Sequence, residues 1–105
     1  MNVHDDHRLP ADVSLVRTTP VFDERTVPAG LLSAHRIAEG VWGRLRVHSG
    51  GLVFRFEGNP SPAQRVEAPD HIVIPPGAPH HVEIDGPVDF SIEFHRATAR
   101  DSARE

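Results

Sequence analysis

Four side chains carry the chemistry this sequence offers for a metal or ligand site: His35, His80, Glu83 and His95. Imidazole and carboxylate are the groups that hold zinc, iron, manganese or nickel, or that orient a small polar ligand. His80 is the best presented of the four. It lies in the stretch Pro75-Pro76-Gly77-Ala78-Pro79-His80-His81-Val82-Glu83, where prolines and a glycine fix the backbone at low entropic cost. An imidazole delivered from a rigid turn is what a metal or ligand site needs.

Strand alternation sorts the candidates by face. Val82 and Ile84 share the parity of His80, which sends His80 inward and His81 and Glu83 the other way. Leu31, His35 and Ile37 share one face, with Arg36 opposite. Phe90, Ile92 and Phe94 claim the interior of the last run, so Glu93 and His95 are expected to face outward, and His48 joins Arg44 and Arg46 on a solvated face. His35 and His80 are then the two inward imidazoles.

A zinc or iron site takes about three protein ligands, and a third is sought where strand ends and bulges break parity. Glu83 comes first, then His95 and Glu93, with Glu39 weaker. The bland alternative is two buried histidines satisfied by backbone carbonyls. Trp42 either lines a pocket rim or packs on the sheet. Arg17, Arg36, Arg44 and Arg46 either bind an anion or sit in solvated cross-strand pairs. The cluster His4, Asp5, Asp6 and His7 offers loose chelation in a polar terminus.

The elements that must position these groups are strands. Short runs rich in Val, Ile, Leu and Phe, broken every 8 to 12 residues by Pro or Gly, signal an all-β sandwich or barrel. The runs cover residues 14–18, 30–37, 41–48, 52–57, 64–67, 71–74, 80–84 and 88–95. Such a count, about eight, suits a jelly roll or small barrel. Ser49-Gly50-Gly51 reads as a tight hairpin between two of them. The expected organisation is a flexible tail over 1–12, one domain over 13–96 and a flexible tail over 97–105.

Composition narrows the chemistry. With 105 residues the chain holds one core. It has no cysteine, which excludes disulfides, thiolate zinc sites, Fe–S clusters and thiol catalysis. All 11 basic residues are arginine, so Schiff-base chemistry is excluded too. The formal net charge of -4 does not indicate a basic nucleic-acid face. There is no Gly-rich phosphate loop and no GxSxG elbow. The absence of a long apolar run or charged leader sets a cytoplasmic expectation without membrane partners.

Pro75-x-Gly77-x-x-His80 resembles the second conserved motif of the cupin superfamily, in which a Pro and Gly turn delivers a metal-binding histidine. A wider series resembles the YeaR/TehB-like group of small, RmlC-like cupins, associated with tellurite resistance or nitrosative stress. It comprises Arg17-Thr18-Thr19-Pro20-Val21-Phe22, Val27-Pro28-Ala29-Gly30-Leu31 with His35, Gly40-Val41-Trp42-Gly43, and Pro75-Pro76 with His80-His81-Val82-Glu83.

The resemblance implies a single-domain cupin jelly-roll barrel, a double-stranded β-helix of about eight strands, present as a homodimer. His35 and His80 match the family's histidines, and Glu83 matches as third ligand or as their partner. In some longer relatives a similar domain is fused to an S-adenosylmethionine-dependent methyltransferase. The expected function is binding of a divalent metal (Zn, Fe, Mn or Ni) or a small ligand inside the barrel, in a stress or tellurite/oxyanion response, with no catalytic residue assigned. Two alternatives stand beside it: a metal-dependent oxygenase or isomerase using the same histidines, and a non-metal sensor or interaction module using outward His81, Glu93 and His95.

Overall fold

A computed structural model describes residues 8–58 and 63–97. The His4 to His7 cluster and most of both expected tails lie outside these residues. The chain is all-β. Its strands are β1 (Val13–Thr18), β2 (Phe22–Asp23), β3 (Val41–Phe56), β4 (Gln64–Glu67), β5 (His71–Ile74), β6 (His80–Glu83) and β7 (Val88–Ala97). All pairings are antiparallel, in the order β1-β7-β3-β4, with β2 also on β7 and both β5 and β6 also on β3.

The eight-stranded cupin jelly-roll barrel expected from the sequence is not what forms. Among the described residues the sheet is open and has seven strands, and no pairing joins β1 to β4 or β5 to β6. Two expected elements also form differently, and one strand, β2, is added. The first concerns Ser49-Gly50-Gly51, which is no hairpin but lies inside the 16-residue strand β3. The N-terminal part of β3 pairs with β7 and β5, and from Gly51 onward β4 and then β6 take over.

A bulge between Val47 and Ser49 adds His48 as an unmatched residue. It shifts the inward parity from Val41, Leu45 and Val47 to Leu52 and Phe54. Gly50 makes the crossing possible: its φ is 70°, and a Cβ there would stand 2.1 Å from the Pro87 carbonyl oxygen.

The second is the run 30–37. Pro28 pre-sets φ and its carbonyl accepts from the Leu31 N–H at 2.9 Å, so Ala29–Leu32 wind into a single 3-10 turn. Only His35 from this stretch pairs as a strand residue, in an isolated antiparallel bridge to His80. The short strand β2, unforeseen in the sequence, packs Phe22 on Phe90 at 5.7 Å between ring centroids.

One core serves both parts of β3. Leu45, Leu52, Phe54, Ile72, Val82 and Phe90 are each at most 2% exposed and belong to one cluster. Burial of this kind contributes roughly 1.5–3 kcal/mol per large side chain. Among the described residues, no helix is long and apolar enough to cross a membrane.

Candidate functional site

The turn before β6 is built from its sequence. Gly77, at φ 74°, donates its N–H to the Ile37 carbonyl at 3.0 Å, and Ala78 closes back on Pro75. One step on, the His80 and His35 backbones exchange both hydrogen bonds, at 2.8 and 3.0 Å. Residues 35–37 are thereby fastened to the turn, and the two imidazoles meet edge to face at 4.2 Å between centroids.

Each ring is oriented by a carbonyl. His80 Nδ1–H donates to Ala78 O at 2.8 Å and His35 Nδ1–H to Ser33 O at 3.2 Å. A carbonyl only accepts, so each Nδ1 carries a proton and, in a neutral ring, the lone pair is left at Nε2. Neither Nε2 has a hydrogen-bond partner among the described residues. His80 is 2% exposed and stacked on Phe54 at 5.2 Å. Burial holds its proton affinity below the ordinary histidine value, and the neighbouring His35 adds to this against the opposing Ala78 bond. His80 is therefore a buried, neutral acceptor.

Both rings line a cavity of about 350 Å³. Its apolar walls include Leu31, Ile37, Ile74, Ile92 and Phe94, and its cations are Arg17, Arg36 and Arg96. A recess of about 320 Å³ continues it past Arg17, Leu31 and His35. No Asp or Glu lines either space. All three arginines are exposed, and among the described residues none of them makes an ion pair.

Arg17 reaches the cavity through a bulge. Leu15 opposes His95 and Arg17 opposes Phe94, so Val16 is the extra residue. Plain alternation would put Leu15 and Arg17 on one face; the bulge separates them and sets the Arg17 guanidinium 4.7 Å over the Phe94 ring. Arg96 was missed in the sequence although a signal was there, since it extends the inward series Phe90, Ile92, Phe94 by one more step.

The other candidates stand elsewhere. Glu83 lies on the opposite face of β6, bonded to Arg55 at 3.0 Å and to His81 Nε2 at 2.9 Å. His81 Nδ1 meets Glu57. His95 is on the face away from the cavity as expected, yet it is only 8% exposed, opposite Trp42 on β3 and Leu15 on β1, and bonded to Glu93 at 3.2 Å. Arg44 and Arg46 pair with Glu93 at 2.9 and 3.5 Å. Trp42 does not line the cavity, and His48 bonds Ser91 Oγ at 2.8 Å.

His35 and His80 are thus brought together, and Glu83 and His95 are not brought to them. Among the described residues no three His, Asp or Glu side chains are placed to share an ion. Two imidazoles fit part of a zinc, iron, manganese or nickel coordination sphere, and the remaining donors would have to come from a ligand or water.

A family profile described as the TehB-like domain matches residues 17–92. Among solved structures, the crystal structure of a structural-genomics target protein from E. coli (strain K12) matches with a TM-score of 0.79 at 27% identity, over 87% of this chain and 97% of that one. The crystal structure of TehB from Haemophilus influenzae matches with a TM-score of 0.76 at 23% identity, over 83% of this chain and 32% of that one. The chain therefore spans about a third of that protein's length. No curated protein matches the chain.

Proposed function

The chain belongs to the TehB-like domain family, and from that premise we propose that it is a small-ligand-binding domain whose cavity takes an anion, in a response to tellurite, other oxyanions or nitrosative stress. The observation that carries the reading is the lining of the cavity. Arg17, Arg36 and Arg96 surround an apolar space without a carboxylate among them. Cations that pair with no carboxylate among the described residues, beside a concave apolar site, favour an anionic guest, because each guanidinium offers several donors to an oxygen.

Titration calorimetry with tellurite, selenite and a panel of small carboxylates tests it. At least one anion is expected to bind, and Arg17→Ala is expected to weaken binding about tenfold, the loss of one charge-assisted hydrogen bond. No heat from any of these anions at millimolar concentration would sink the reading.

A second reading has its own observation. Both Nδ1 atoms are held by carbonyls, which leaves two adjacent imidazoles with Nε2 for a divalent metal. Metal analysis of tag-free protein tests it: near-stoichiometric zinc, iron, manganese or nickel that is lost in His80→Ala would support a metal, and content unchanged by that substitution would remove it.

A further inference from the structure

We infer that the guest of this cavity is an organic acid with an apolar body and a hydrogen-bond donor at the end remote from its carboxylate, and not a bare inorganic oxyanion; this rests on the anion reading above and narrows it. Three features of the site lead there. Size is the first. A cavity of about 350 Å³ has room for roughly ten water-sized groups, several times the bulk of a four- or five-atom oxyanion. Ligand pockets for organic molecules begin at about this volume.

The walls are the second feature. Leu31, Ile37, Ile74, Ile92 and Phe94 would strip water from an inorganic anion and return no hydrogen bonds. The same walls favour a hydrocarbon body, because its apolar surface is removed from water against them. The polar groups are also graded by depth. The three arginines are exposed, whereas His80 is 2% exposed. A carboxylate is therefore met at the rim and an apolar segment along the walls.

The inner end is the third feature, and it sets the donor. His80 Nδ1–H is committed to Ala78 O, and Nε2 is a buried acceptor with no partner among the described residues. Buried polar atoms are rarely left so. His35, in edge contact with it, spends its Nδ1–H on Ser33 O. A fully deprotonated oxyanion brings only acceptors and would set lone pair against lone pair here. An O–H or N–H at the inner end of the guest satisfies the site, and an acid lacking one leaves the acceptor unpaired.

The test is calorimetry on the full chain with three probes: para-hydroxyphenylacetate, phenylacetate and tellurite. The expected order is the hydroxy acid first, phenylacetate about tenfold weaker for want of the donor, and tellurite weakest. In His80→Phe the two acids are expected to converge to within about twofold, whereas Arg17→Ala weakens both by a similar factor. The wild-type comparison decides the matter even if His80→Phe does not fold. Equal binding of the two acids would overturn the donor assignment. Tellurite binding as tightly as the acids would overturn the organic-acid assignment and leave the anion reading standing. Silence from all three probes, with heat from another inorganic anion, would do the same. Silence from every anion would end both.

Discussion

His80 and His81 are adjacent in the chain and titrate in opposite senses. Hydrogen bonds donated by its ring N–H groups to Glu57 and then Glu83 raise the proton affinity of His81 above the ordinary value, since both of its ring nitrogens face carboxylates. Its folded pKa exceeds its unfolded one, so its contribution to stability is complete below about pH 6.5 and is lost as the pH rises through the folded value. Burial lowers His80, so its contribution is present above about pH 6.5 and is lost as the pH falls below it. Urea midpoints measured from about pH 5 to 8 are expected to lose part of their alkaline decline in His81→Gln, because Gln does not titrate. A profile unchanged by that substitution would refute the account. At this scale alternation along one strand was enough to separate His80 from His81. It was not enough for Arg17, whose facing is reversed by the bulge at Val16, nor for the burial of His95, which depends on Trp42 and Leu15 across two neighbouring strands.

Among the elements, β3 holds the two parts of the sheet together, and Gly50 is where it passes from one set of partners to the other. Gly50→Ala is expected to destabilise the protein by at least about 2 kcal/mol, combining a positive φ with the close approach of Pro87. Gly86→Ala, where a Cβ would meet nothing within 4 Å, is expected to stay within about 0.5 kcal/mol. Urea midpoints of the two variants make the comparison, and equal midpoints would refute it. Ser49-Gly50-Gly51 read as a hairpin because turn chemistry is local, whereas continuing the strand depends on β7 before Gly50 and β4 after it. The runs 64–67 and 71–74 were legible to the residue, being short apolar or alternating segments bounded by turn residues. The run 30–37 was not, since its apolar residues belong to a 3-10 turn and a single bridge.

For the whole molecule, charge is sorted by face. The chain is formally -4, yet Arg44, Arg55 and Arg65 pair with Glu93, Glu83, Glu67 and Asp85 away from the cavity, which leaves cations around the opening. Net charge read from composition could not reveal this arrangement, just as a run of strands identified the all-β class but not whether the sheet closes, a question of contacts distant in sequence. Because one core packs both parts of β3, unfolding is expected to be a single transition. Trp42 fluorescence and the ring signals of His81 in NMR report on different parts of the sheet and should share one urea midpoint; separate midpoints would mean that the core is divided. The reciprocal backbone bonds between residues 35 and 80 have a use in engineering. An antiparallel pair bonded in this way holds its Cα atoms about 5.5 Å apart, inside the span of a disulfide, about 4.4–6.8 Å. In a chain without cysteine, the paired substitutions H35C and H80C would create one crosslink and no rival, a redox-operated latch across the wall of the cavity.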